Sequence, residues 1–378
     1  MRSMTWLAAG GALAALLGGA VQAQDAPAAG ATMTEDLAAL YEAAKAEGML
    51  TTIALPRDWC NYEGVFQTFQ AKYPEIELNE LNPNASSAEE LEAIRANVGN
   101  TGPQAPDVID VGLAFGPQAK EEGLISPYMV QTWDTIPEDA KDPEGYWYGD
   151  YYGVMSFAVN TDLVPNPPQS FADLLKPEYA GQVALAGDPR ASNQAILAVM
   201  AAGMARGAEP GQAAGEAGLQ FFKELNDAGN FVPVIGGSGT LAQGTTPILI
   251  QWDYNALSTR DTLAGNPPVE VIVPSDATLA GMYVQAISAY APHPNAARLW
   301  MEYLYSDEGQ TRWLSGYCHP IRYTDMVERA VVPQELLDRL PPADAYARAV
   351  FPTVEQVNAN SEAVVGGWDS VVGADVVE

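Results

Sequence analysis

Three groups of residues carry side chains able to do chemistry. The first closes the run Thr246-Pro-Ile-Leu-Ile-Gln-Trp-Asp-Tyr-Asn-Ala-Leu257, in which Asp253 stands between Trp252 and Tyr254. One charge between two apolar walls is the composition of a small-molecule pocket. The plainer alternative is an Asp that caps the next helix and two rings that pack in the core. The second group is Cys60 and Cys318, the two cysteines of the chain. In an oxidising compartment they have one intramolecular pairing, a Cys60–Cys318 disulfide; two separate buried thiols are the alternative. The third is His293 and His319. His319 adjoins Cys318, but no second Cys or His lies at a zinc-like spacing, so no metal site is expected and the cysteines read as structural. There is no Gly-x-Ser-x-Gly elbow, no His-Glu-x-x-His and no phosphate loop, and two histidines leave little room for His-based catalysis. An enzyme is therefore not expected, although a hydrolase built on a carboxylate pair stays open as the rival. No cofactor is expected.

The elements that must position these residues follow from periodicity. Pro247–Ile250 is an unbroken apolar run, as in a parallel strand buried on both faces, and open α/β sheets place ligands beyond the carboxyl ends of such strands. Upstream, a helix over 34–47 carries Leu37, Leu40, Tyr41 and Ala44 at helical spacing. A strand over 49–55, a loop over 57–62 and a helix with Val65, Phe66, Phe69 and Tyr73 on one face come next. A strand over 76–81 precedes a helix opened by Ser86-Ser87-Ala88-Glu89-Glu90, and Asp107-Val-Ile-Asp-Val-Gly112 forms a third strand. Strand–helix–strand–helix–strand predicts a parallel sheet covered on both faces. Beyond the aromatic stretch Tyr146–Tyr152, read as packing at a domain junction, strands are expected over 154–160, 182–186, 231–235, 269–274 and 283–289. Gly236–Thr240 reads as a loop, and a helix over 295–305 points Leu299, Trp300, Tyr303 and Leu304 inward.

At 378 residues the chain exceeds what one core usually holds, which suggests two domains. Its 48 acidic and 18 basic residues give a net charge of −30, a field that repels nucleic acid and anionic lipid. The scattered acids suit a solvated surface in saline surroundings; attraction of cationic ligands is the alternative. Arg2, the apolar run Leu7–Ala20 and the small residues Val21-Gln22-Ala23 read as a signal peptide over 1–23. That run falls short of the ~20 residues a membrane anchor needs. A flexible leader over 24–33 follows.

Further features lie in a fixed order: Tyr41-Glu-Ala-Ala-Lys-Ala-Glu-Gly48, Asp107–Gly112, Pro168–Val183, Asp188-Pro-Arg-Ala-Ser192 and Asn295–Gln310. With these the chain resembles the extracellular solute-binding proteins of bacterial ABC importers, in the type II group that holds ferric-ion, polyamine, 4-aminobutyrate and aminoalkyl-phosphonate binders. The resemblance implies an α/β, two-lobed type II periplasmic-binding-protein fold with the ligand cleft between lobes that close about a hinge. It implies a monomer in the periplasm, with a small-molecule solute and a membrane permease as partners. The lobes are expected over 34–155 with 270–330 and over 156–269, joined near Gly153–Asn160 and Val269–Pro274, with C-terminal helices over 331–378 packed upon them.

Where the ferric binders carry two adjacent tyrosines, this chain has Trp252-Asp253-Tyr254, one phenol only, which argues against hard Fe³⁺. An amine or zwitterion fits better, with its ammonium on Asp253 between Trp252 and Tyr254. Its anionic end would lie at the helix start Ser192-Asn193, with Arg190. Trp59, Asn61, Tyr62, Ala114 and Phe115 are expected to close from the other lobe, with Tyr151 or, as the preferred candidate, Tyr152 at the junction.

Overall fold

The computed structural model describes residues 35–340 and 348–377. The signal peptide and leader expected over 1–33 lie outside the described residues. The first lobe begins α1 (Glu35–Glu47), β1 (Met49–Ile53), α2 (Tyr62–Lys72), β2 (Glu77–Leu81), α3 (Ser87–Ala96), β3 (Val108–Gly112), α4 (Phe115–Glu121) and β4 (Ile125–Ser126). Helix α3 starts where the sequence signals it. The Ser86 hydroxyl accepts from the Glu89 backbone N–H while the Glu89 carboxylate accepts from the Ser86 N–H, so two otherwise unpaired donors are satisfied.

The strand that joins the lobes is β5 (Tyr148–Asn160), thirteen residues and nearly all buried. The second lobe adds β6 (Val183–Leu185), α5 (Asn193–Ala205), α6 (Gln212–Asp227), α7 (Ser238–Gln243), β7 (Ile248–Trp252), α8 (Asp253–Leu263) and β8 (Val269–Ile272). The chain then returns through β9 (Ala280–Ser288), α9 (Pro294–Leu304), α10 (Asp307–Ser315), β10 (His319–Pro320) and α11 (Tyr323–Glu328). Up to Val154, β5 pairs with β9, and from Met155 onward it pairs with β7 and β8. One continuous strand thus serves both halves, and its neighbours change where it crosses between them.

This arrangement alters two expectations. Among the described strands, β1–β2 and β6–β7 pair in parallel, whereas β3–β9, β5–β9, β5–β7 and β5–β8 are antiparallel. The sheet is mixed because β5 runs through both lobes against the strands it meets. Val269–Ile272, expected to open the second connection, instead pairs with Phe157–Asn160 of β5. Residues 231–235 form isolated bridges to Val183 and Val377 instead of a strand, and Ser238 opens the short helix α7 where a loop is expected.

Helix α9 buries Leu299, Trp300, Tyr303 and Leu304 against α2, with Phe66 and Trp300 stacked at 5.6 Å. The C-terminal helix (Val354–Val371) lies on α5 and α6. Its Trp368 packs on Phe222, and Asn360 donates to the Ile196 carbonyl.

Candidate functional site

A cleft of about 790 Å³ separates the two halves. Trp59, Ser86, Ser87, Glu90 and Asp110 form its first-lobe wall. Ser192, Asn193, Gln194 and Gln251 form the second-lobe wall, and Tyr151 and Tyr283 come from the strands that join the lobes. The walls meet at Gly112. A Cβ there would stand 2.0 Å from Cγ of Asn193, so only glycine lets α5 approach β3 this closely.

The charge of the lining is one-sided. Asp58, Glu89, Glu90, Glu92, Asp110 and Asp188 face the cleft, Glu92 paired with Arg95 and Asp188 with Arg190, and among the described residues no Lys, Arg or His lines it. Asp58, Glu89 and Glu92 are exposed at the rim, whereas Glu90 and Asp110 are 1% and 5% exposed. The buried pair has extensive support. The Asp110 backbone N–H donates to Glu90 Oε2 at 2.9 Å. Tyr62 and Tyr151 both donate their hydroxyls to Asp110 Oδ2, at 2.6 and 2.9 Å. Trp59 Nε1 donates to the Tyr151 hydroxyl at 2.8 Å. Behind Asp110 lies Asp150, fully buried, which accepts from the Gln285 amide at 3.1 Å; the same amide donates to the Tyr62 hydroxyl at 3.0 Å.

Burial pushes the Asp110 carboxyl up from 3.8 to about 7, against the lowering effect of its phenol donors and of Asp150. Burial first, and then the Asp110 charge, lift Glu90 and Asp150 well above the ordinary carboxylate range. The Oδ1 atom of Asp110 receives no N–H or phenol O–H, and Gln251 Nε2 on the facing wall has no acceptor. A buried oxygen in that condition is costly unless a further donor, a protonated neighbouring carboxyl or a ligand, reaches it. Around it the rings of Trp59, Tyr151 and Tyr283 pack edge-on or stacked at about 5.6 Å, making an apolar and π-rich wall.

Of the residues expected to hold ligand, Trp59, Ser192 and Asn193 line the cleft and nine do not. Trp252 is fully buried, with its ring tip against Gly281. Asp253 is 1% exposed and accepts from the Val154 backbone N–H at 2.9 Å, at the point where β5 changes partners. Tyr254 is buried behind Trp59 and Tyr151, at 5.5 and 5.9 Å. The corner after β7 therefore serves the core, because the strand runs on through Trp252 before α8 turns away. Asn61 caps α2 through Gly64 and donates to the Arg312 carbonyl and the Ser315 hydroxyl. Tyr62 supports Asp110 from behind, and Ala114 and Phe115 are buried at the start of α4.

Tyr152 points to the opposite face of β5 from Tyr151 and stacks on His319 at 5.0 Å. Strand alternation makes neighbouring side chains face opposite ways, so the cleft takes Tyr151. Arg190 is spent on Asp188, Asp369 and Asp375 and on the Val376 carbonyl, fastening the C-terminal segment to the second lobe. Cys60 and Cys318 are joined, with Cα atoms 5.4 Å apart, which ties the Trp59 loop to the segment after α10.

Two α/β halves, joined by shared strands about a lined cleft, define a two-lobed solute-binding protein. Residues 104–346 match the sequence family of bacterial extracellular solute-binding proteins, and the chain belongs to that family. A curated relative, an uncharacterised protein of Haemophilus influenzae, is 29% identical over 221 residues. The match covers 54% of this chain and 60% of that relative's length. Among solved structures the fold is similar to that of the periplasmic binding protein AfuA from Actinobacillus pleuropneumoniae, solved with fructose-6-phosphate bound. Their TM-score is 0.67 and their identity 22%, over 86% of this chain and 98% of that one. It is likewise similar to a putative spermidine/putrescine ABC transporter protein from Listeria monocytogenes, with TM-score 0.62 and 12% identity, over 85% and 99%.

Proposed function

We propose that this protein is the periplasmic receptor of an ABC importer and that it captures a small amine-bearing solute, delivering it to a membrane permease without chemical change. The observation that carries this reading is the sign of the cleft lining: six acidic side chains, of which Glu92 and Asp188 are paired with Arg95 and Arg190 outside the lining, and no cationic side chain among the lining residues. Exposed rim carboxylates draw cations in, and the buried Asp110 offers a charged acceptor for an ammonium. Trp59, Tyr151 and Tyr283 supply the faces and edges that favour a cation's carbon neighbours.

The helix starts at Ser87 and Asn193 also face the cleft, so a solute with a carboxylate or phosphonate at its far end has donors to meet. A phosphorylated sugar, the ligand solved with AfuA, would here meet backbone dipoles but no Lys or Arg. Capture would follow from the solute bridging both walls and favouring the closed state, with bending at Val154–Met155 and at the segment after β8.

A thermal-shift panel of 4-aminobutyrate, putrescine, 2-aminoethylphosphonate, fructose-6-phosphate and Fe³⁺ tests the reading. Saturation at a hundred times Kd stabilises by about 2.7 kcal/mol. Shifts with the amines support it. A shift with fructose-6-phosphate or Fe³⁺ alone overturns it.

A further inference from the structure

The floor of the cleft gathers three carboxylates that cannot all be charged. Glu90, Asp110 and Asp150 are each at most 5% exposed, and Glu90 and Asp150 both contact Asp110. Among the described residues, every titratable group that faces Asp110 from its surroundings is an acid or a phenol: Glu90 on α3, Tyr62 on α2, Asp150 and Tyr151 on β5, Tyr283 on β9, Tyr254 on α8 and Tyr305 after α9. None brings a compensating positive charge. Like charges in contact and out of water resolve by retaining protons.

We propose that the floor presents a single negative charge, on Asp110, with Asp150 and Glu90 holding their protons, so that the receptor seats one ammonium group and binds it only while Asp110 is ionised. This rests on the amine reading above and sharpens it to a single seated ammonium.

Position divides the roles, since each carboxylate accepts two donors: two phenol hydroxyls on Asp110, and the Gln285 amide and the Tyr151 backbone N–H on Asp150. Asp110 lines the cleft, whereas Asp150 is fully buried behind it, keeps its proton and gives a hydrogen bond to Asp110, on which it acts as a positioning residue. The directions agree with a shared shortage of charge: burial, and then the Asp110 charge, push Asp150 and Glu90 well above the ordinary carboxylate range, and burial raises Asp110 to about 7. Asp110 lines the cleft, and its Oδ1, buried beneath the lining, takes no N–H or phenol donor, so a side-chain shift at the floor lets an incoming N–H reach the carboxylate. Below neutral pH Asp110 takes up a proton, the floor becomes neutral and the ammonium loses its counter-charge. Capture at acid pH then releases one proton to solvent, and capture above neutral pH releases none.

Two measurements on the full chain test this. The first needs no ligand: infrared difference spectroscopy from pH 5 to 9 on the wild type, Asp110→Asn and Asp150→Asn. A carboxyl that ionises near neutrality in the wild type and is missing from Asp110→Asn is the expected result; no carboxyl ionising above pH 6 overturns the proposal. The second is calorimetry with n-butylammonium, 4-aminobutyrate and putrescine in buffers of different ionisation heat. Affinity should fall roughly tenfold per pH unit below about 7, about a hundred-fold from pH 8 to pH 5, with near one proton released at pH 5. The second ammonium of putrescine should bring no gain over the better of the two singly aminated probes. Amines that bind equally at pH 5 and 8, or putrescine that binds far more tightly than both, overturn the proposal and leave the amine receptor standing. Failure of all three probes overturns the amine reading itself.

Discussion

Replacing Asp110 by Asn should stabilise the protein while abolishing amine capture. In the folded chain burial raises this carboxyl from 3.8 to about 7. The sign follows. Between those values the folded state holds a proton that the unfolded chain has released, so wild-type stability falls as pH rises from about 4 to about 7 and stays low above that. Slightly more than three decades of proton affinity, at about 1.4 kcal/mol each, place the penalty on the order of 4 kcal/mol at pH 8 and roughly 1.5 kcal/mol at pH 5. Asparagine keeps a carbonyl for the Tyr62 and Tyr151 hydroxyls and carries no charge. Urea denaturation followed by tryptophan fluorescence should give Asp110→Asn a higher midpoint at pH 8, a smaller gain at pH 5 and none near pH 3. A variant destabilised by the same amount at every pH would refute the reasoning, since Asp110 would then act only through its hydrogen bonds.

Three further outcomes follow from the geometry. Gly112→Ala places a methyl 2.0 Å from Asn193 Cγ and should hold the walls apart, weakening amine binding by about tenfold or more in calorimetry with little change in the denaturation midpoint. Reduction of Cys60–Cys318, which spans 258 residues, should lower stability by about 5 kcal/mol on the chain-entropy estimate, read as a fall in Tm with and without reductant. Arg190→Gln should cost about 1 kcal/mol by loosening the C-terminal segment and leave amine affinity unchanged; a large loss of affinity would return Arg190 to the ligand.

Much of the architecture was legible because local patterns and tertiary structure agree. The capping box at Ser86 and Glu89, the inward stripe of α9 and the buried run of β7 each follow from periodicity or end chemistry. Pairing direction was not legible, because a buried parallel strand and a buried antiparallel one share the same apolar run, and nothing local marks β5 as common to both lobes.

The site was legible only in part. Ser192 and Asn193 open a helix and Trp59 follows a proline-bounded strand, so their place at element ends leads to the cleft. Asp253 carries the same local signal, yet the chain uses it to hold Val154. Asp107 immediately precedes the short strand that holds Asp110. Asp107 binds the backbone N–H groups of Thr51 and His293, whereas Asp110 meets the cleft, and spacing alone does not tell them apart. Tyr151 and Tyr152 differ by one step of a strand whose register is fixed by β9 and β10. Glu90 and Asp150 become informative only through their contact with Asp110, which no sequence interval encodes.

The most direct test of the amine-receptor account is a crystal structure of the protein at pH 8 with the amine that shifts it most. The account predicts an ammonium nitrogen within about 3 Å of the Asp110 carboxylate, with the solute's carbons against Trp59, Tyr151 and Tyr283. A solute seated by an anionic group at Ser192 and Asn193, with no donor on Asp110, would contradict it.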